Sequence, residues 1–241
     1  MTLHPGSEAA LRQALFVGRE RDADRIREEL GAGHNMVLTG PFGIGRTALL
    51  HQVARNLEPA WRFVFLDGSQ TAGWLCDRLL ETWGSPRLRT PGRRTTPWTV
   101  ARSRLPELLD AEPRSVAVVL DDLGKVTEPK LDFLRWLHGL GRIHILAVTE
   151  RFLGEEGERR LRAVLYPAPR LALGPLPENP AKAFFEGWAR AHGLGWGPGA
   201  IRGLVLATRG YPTGMWEAAR SAALKPTLSE PQQGSQGSRR P

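Results

Sequence analysis

The chain has 241 residues, 41% of them hydrophobic, enough to bury a compact core with a small appendage. Its formal net charge is +8, with a sequence pI of about 10.6, which favours nucleic-acid or acidic partners and says nothing of fold. The single cysteine, Cys76, excludes an internal disulfide. Without a signal-peptide pattern or an apolar run of about 18 residues, a cytoplasmic location with no membrane association is expected.

Residues 1–14 read as a flexible N-terminal arm. From Glu20 to Leu30, Ala23, Ile26 and Leu30 recur at three and four residues among charges, which predicts an amphipathic helix. Asn35–Thr39 reads as a short buried strand, and a helix follows with Leu50, Val53, Ala54 and Leu57 on one face. The alternation repeats. Trp61–Leu66 is a predicted strand and Thr71–Trp83 a helix, with Cys76 among Leu75, Leu79 and Leu80 as a core residue. A loop rich in Pro, Arg and Thr spans 85–97, and a helix runs from about Trp98 to Leu109. Ser115–Leu120 is a continuous apolar run, as a strand covered on both faces requires. Thr127–Leu140 is a predicted helix with Thr127 as N-cap, Arg142–Val148 a strand, Glu156–Leu165 a helix and Leu171–Leu173 a short strand. After Pro177 the strands stop, and Pro180–His192, Pro198–Ala207 and Pro212–Leu224 read as three helices. The tail over 225–241, rich in Pro, Gln, Gly and Ser, has the composition of a disordered segment.

Strands alternating with helices predict a three-layer α/β/α sandwich with a parallel sheet, then a small helical lid. The expected organisation is an arm over 1–14, an α/β core over 15–176, a lid over 177–224 and a tail over 225–241.

Between the first strand and its helix stand Gly40, Pro41, Phe42, Gly43, Ile44, Gly45, Arg46 and Thr47, with Ala48 next. Glycines at these places let successive N–H groups turn toward phosphate oxygens, and the helix N-terminus adds partial positive charge. Thr47 is the candidate hydroxyl for Mg²⁺. The spacing matches G-x-x-x-x-G-K-[ST] except that Arg46 replaces the lysine. A planar, forked guanidinium is a different tool from a compact ammonium, so binding can survive where hydrolysis slows or stops. The plain alternative is a Gly-rich strand–helix turn without a ligand.

Val116–Leu120 ends in Asp121 and Asp122, about 75 residues downstream, as the second half of such a site does. Asp121 is the candidate Mg²⁺ ligand and Asp122 the group that orients or activates the attacking water. The alternative is an acidic pair that ends a strand. The next strand ends at Thr149, a candidate for reaching the γ-phosphate and that water, or an ordinary strand terminus.

The segment Leu15-Phe16-Val17-Gly18-Arg19-Glu20 resembles the box that precedes the phosphate loop in origin-recognition-like AAA+ ATPases and STAND ATPases. Phe65-Leu66-Asp67-Gly68 is similar to the family's second strand. Leu173-Gly174-Pro175-Leu176 is similar to its approach to the lid, and Gly210-Tyr211-Pro212 to the G-x-P turn. The resemblance covers about Leu15 to Leu224. It implies ATP with Mg²⁺ as ligand, an adenine pocket walled by Val17, Gly18 and the lid near Pro212, and lid movement driven by nucleotide. It also implies an arginine after the G-x-P turn. Thr213 stands there instead, with Arg209 and Arg220 as nearby substitutes. Arg151, Arg159, Arg160 and Arg162 are candidate fingers for a neighbour's site in a homo-oligomer, or a solvated basic face.

Of the 33 basic residues only Lys125, Lys130, Lys182 and Lys225 are lysine. A GC-rich genome or a hot habitat also produces that bias, so a compositional reading of the charge stands beside direct DNA binding. The loop with Arg87, Arg89, Arg93 and Arg94 is a candidate phosphate contact of nucleic acid, or a solvated loop. The six histidines show no metal-ligand spacing, and Trp136 and Trp216 fall in helical packing patterns.

The leading reading is an ATPase or ATP-operated switch working with a protein partner or DNA. The chain stops soon after the lid, so specificity is expected from that partner. The second reading is a basic scaffold that keeps the fold and binds nucleotide weakly or not at all. A small-molecule P-loop kinase is the third, without an acceptor-pocket signature to support it.

Overall fold

The computed structural model describes residues 15–84, 98–149 and 153–224. The expected arm, the arginine loop, Arg151 and the tail lie outside the described residues. The chain divides into two units, one spanning Arg19–Gly174 and the other joining the chain through Gly18 to everything from Pro175 onward.

The larger unit alternates helix and strand except for two successive helices between β2 and β3: α1 (Glu20–Gly31), β1 (Met36–Thr39), α2 (Arg46–Leu57), β2 (Trp61–Asp67), α3 (Ala72–Thr82), α4 (Trp98–Asp110), β3 (Ser115–Asp121), α5 (Glu128–Gly139), β4 (Ile143–Thr149), α6 (Gly154–Val164) and β5 (Arg170–Ala172). The five strands form one sheet, all parallel, in the order β2-β3-β4-β1-β5. Parallel neighbours need crossover helices, and those helices cover both faces. The result is a three-layer α/β/α sandwich of the P-loop NTPase type.

Side-chain alternation along β2 marks the two faces. Val64 and Leu66 enter a cluster with Leu75 and Leu79 of α3, Leu105 and Leu109 of α4, Phe133 and Leu137 of α5, and Leu161 of α6. Phe65 turns the other way and stacks on His51 of α2, with ring centroids 4.0 Å apart. The central strand β3, buried from Val116 through Leu120, has both faces covered, which is why its sequence is a continuous apolar run. Cys76 is a core residue, and burial pushes its thiol up to about 12.

The cap at α5 differs from expectation. Thr127 stands at the N-cap position but its side chain makes no capping bond. Thr71 does cap α3, accepting from the Trp74 N–H at 3.4 Å.

The smaller unit carries the lid helices α7 (Glu178–Ala191), α8 (Pro198–Thr208) and α9 (Pro212–Ala223). Its core gathers Phe184, Phe185, Trp188, Ile201, Val205 and Met215 around Leu15 and Leu176. Trp216 packs edge-on to Phe184 and Trp188, a packing role as its helical spacing implied. In the larger unit, Trp136 likewise packs on the main cluster. Among the described residues, no helix is long and apolar enough to cross a membrane.

Candidate nucleotide site

In an open parallel sheet the chain reverses direction at the C-terminal ends of its strands, and backbone groups left without ladder partners collect there. In this sheet β3, β4 and β1 are adjacent, so Asp121, Thr149 and the loop after Thr39 come together. Thr39 and Thr149 are register partners, which puts Thr149 one residue from Gly40 across the β1–β4 pair.

The loop over 40–47 depends on its glycines. Gly43 and Gly45 take φ of 75° and 93°, in the left-handed region that side chains disfavour. A Cβ on Gly40 would lie 2.9 Å from Cγ2 of Ile44 and 3.0 Å from the Leu173 carbonyl oxygen. Ile44 is fully buried and anchors the loop, while Phe42 at its tip is 78% exposed. Gly45 is the N-cap of α2 and contributes no side-chain acceptor. The first N–H groups of α2 are therefore the ones an anion would meet.

Arg19 braces the loop from behind. Its guanidinium donates to the carbonyls of Ile44 at 3.2 Å and Gly174 at 2.6 Å, and it pairs with Asp22 at 3.1 Å. Sequence reasoning placed Arg19 in the family box but gave it no task.

Arg46 is buried, and its Nη1 donates to the carbonyls of Gly40 at 2.8 Å and Thr149 at 2.6 Å. Thr47, next on α2, donates its hydroxyl to Oδ2 of Asp121 at 2.7 Å. The other carboxylate oxygen of Asp121 accepts from the Asp122 N–H at 3.0 Å. Asp122 is exposed with φ of 55°, a left-handed conformation that Asp tolerates better than most side chains. That turn lets Leu123 donate to the Val148 carbonyl at 2.9 Å, fixing the end of β3 against β4. Thr47, Asp121 and Thr149 are thus gathered at one place, with Asp122 on its rim.

Three neighbours carried no sequence assignment. Asp67 ends β2 in register with Asp121. Hydrogen bonds from Ser69 and Gln70 hold its carboxyl below the usual range. Lys130 is buried and donates to the Gly68 carbonyl at 2.6 Å; burial lowers its pKa, with Asp67 opposing. His51 lies one helical turn beyond Thr47. Burial and Arg55 lower its pKa, and Asp121 opposes them. The i, i+4 spacing from Thr47 was the available signal for His51. Nothing in the local sequence marks Lys130.

The remaining predicted residues lie elsewhere. Val17, Gly18 and Pro212 all belong to the smaller unit. Gly18 has φ of 74°, and a Cβ there would come within 2.4 Å of Pro180, so glycine is required. Pro212 opens α9, and Thr213, Arg209 and Arg220 are exposed. Of the arginines after β4, Arg159 pairs with Glu156, Arg160 with Glu128, and Arg162 donates to the Ala168 carbonyl at 3.1 Å.

A family profile for the AAA ATPase domain matches residues 15–148, more than half of the chain. The chain belongs to that family. The Orc1 protein of Aeropyrum pernix, solved in complex with DNA, has a similar fold at 18% identity and a TM-score of 0.65, over 88% of this chain and 63% of that one. Cdc6p of Pyrobaculum aerophilum matches at 17% identity and a TM-score of 0.63, over 85% of this chain and 62% of that one. The Walker-type ATPase PABY2304 of Pyrococcus abyssi matches at 15% identity and a TM-score of 0.61, over 86% and 71%. At these identities the likeness is one of fold. A 94-residue stretch is 31% identical to the ferric enterobactin transport ATP-binding protein FepC of Escherichia coli, covering 38% of this chain and 35% of that protein. This AAA ATPase domain thus spans under two thirds of the Orc1 and Cdc6p structures and about a third of the transport protein.

Proposed function

We propose that this domain binds ATP with Mg²⁺ at the loop over 40–47 and works as an ATPase or nucleotide-operated switch with a protein or DNA partner. The observation that carries the reading is the 2.7 Å bond between Thr47 and Asp121 beneath a glycine-built loop. One hydroxyl and one carboxylate are hard oxygen donors. They suit a small cation that keeps several waters and takes its other ligands from phosphate. Bound there, Mg²⁺ would neutralise charge on the phosphates. The backbone N–H groups from Gly43 to Ala48 would hold the phosphate oxygens. Asp122 would orient the attacking water and accept its proton, and Thr149 would hold that water or the γ-phosphate. DNA is proposed as a partner on the net charge of +8 and on the fold shared with an Orc1 protein that was solved with DNA.

The scaffold reading keeps one specific observation in its favour: Arg46 is engaged with backbone carbonyls. Titration calorimetry with Mg·ATP separates the two, with phosphate release followed on the same samples. Micromolar binding that Thr47→Ala and Asp121→Ala weaken supports the nucleotide site, and phosphate release then separates an ATPase from a switch. No binding, with or without DNA, favours the scaffold.

A further inference from the structure

Arg46 occupies the first position of α2, where the phosphate-loop pattern has lysine. Both hydrogen bonds it makes to Gly40 and Thr149 leave from one nitrogen, Nη1, at 2.8 and 2.6 Å. That nitrogen carries two hydrogens, so both are committed. The acceptors belong to different segments. Gly40 opens the phosphate loop, and Thr149 ends β4, 103 residues away in sequence. Both carbonyls lie at the C-terminal limit of the β1–β4 ladder, which pairs Thr39 with Thr149 and stops. Carbonyls there need donors from outside the sheet, and Arg46, only 9% exposed, supplies them.

We infer that Arg46 is a positioning residue that braces the phosphate loop to the end of β4, in place of the phosphate contact made by a lysine. The brace stands on these contacts alone. Its consequence for ligands rests on the nucleotide reading above. With Nη1 committed to the protein, which holds the guanidinium at the end of β4, the grip on phosphate falls to the backbone N–H groups of the loop and, by way of Mg²⁺, to Thr47 and Asp121, which would serve diphosphate and triphosphate alike. ATP and ADP therefore bind with affinities within roughly threefold of one another. Lysine at this position has a shorter stem and a compact charge. It drops the Thr149 carbonyl and turns to the phosphates.

The test uses the whole chain as wild type, Arg46→Lys and Arg46→Met. Hydrogen exchange is followed without nucleotide, and Mg·ATP and Mg·ADP are titrated separately. The brace predicts exchange faster by roughly tenfold at the β4 end in both variants, with β2 unchanged as an internal control. It also predicts that Arg46→Met weakens ATP and ADP by similar factors, while Arg46→Lys gains a preference for ATP of roughly tenfold. Should Arg46→Met fail to fold, Arg46→Lys still carries both readouts. Unchanged exchange at β4, or acceleration spread equally over β2 and β4, overturns the brace. So does a wild-type preference for ATP that Arg46→Met abolishes, which would make Arg46 a phosphate ligand. If exchange accelerates locally but neither nucleotide binds any of the three proteins, the brace stands and the nucleotide site falls.

Discussion

At the N-terminal ends of the strands, polar side chains are buried and saturated. Asn35, just before β1, donates to the Leu165 carbonyl at 2.7 Å and accepts from the Ile145 N–H at 2.8 Å. Glu112, just before β3, accepts from Arg62 at 2.7 Å, from Arg114 at 2.7 Å and from the Trp83 indole at 3.2 Å. At the C-terminal ends polar side chains are divided: Thr149 and Arg46 are buried, and others lie at the surface. Thr47 and Asp122 are exposed, and Asp122 accepts a left-handed backbone. One end of the sheet uses polarity to fix the fold, and the other also leaves Thr47 and Asp122 within reach of solvent. A buried polar group without its partner is costly, whereas an exposed one trades its partner for water.

Substitutions at the two ends should therefore separate stability from ligand binding. Asn35→Ala leaves a buried carbonyl and a buried N–H unpaired, and denaturant unfolding should show a loss of about 3 kcal/mol with nucleotide affinity unchanged. Asp121→Ala should do the converse. Affinity for Mg·ATP is expected to fall by about 2 kcal/mol, while stability moves by less than about 0.5 kcal/mol. A stability loss in Asp121→Ala as large as that in Asn35→Ala would erase the distinction.

A further effect is tied to pH. Hydrogen bonds from Arg114 and Arg62 outweigh burial and lower the pKa of Glu112 from 4.5 to about 2. A depressed carboxylate contributes stability above its unfolded value and loses it as pH falls through the folded value. Unfolding midpoints should thus decline between about pH 4.5 and 2. Glu112→Gln should flatten that decline and leave the nucleotide-binding profile as it was.

Much of the fold was legible because local pattern and burial agree. The run over Ser115–Leu120, short and rich in Val, reads as a strand covered on both faces, and Gly43 and Gly45 stand where the loop takes positive φ. The gathering of Thr47 with Asp121 was also legible, since a motif pair in the right order carries its own geometry. The partners of Arg46 were not. Thr149 is 103 residues away, and its carbonyl is in reach only because β4 lies beside β1, a strand order that spacing does not encode. Caps show the same limit at short range. Thr127 and Thr71 precede similar helices, yet only Thr71 uses its oxygen. Lys130 went unmarked for the reason the partners of Arg46 did: its carbonyl acceptor at Gly68 lies in the turn after β2, 62 residues away.

Leu15 belongs to the hydrophobic core of the lid helices, and a Cβ on Gly187 of α7 would stand 2.7 Å from it. A ribosome makes Leu15 before the sheet unit and Gly187 only after the whole of it. The core of the smaller unit therefore cannot close during synthesis until the chain has passed Pro175 and its helices have emerged. The sheet unit, complete in sequence by Gly174, is free to fold first, and Leu15 waits for partners that do not yet exist.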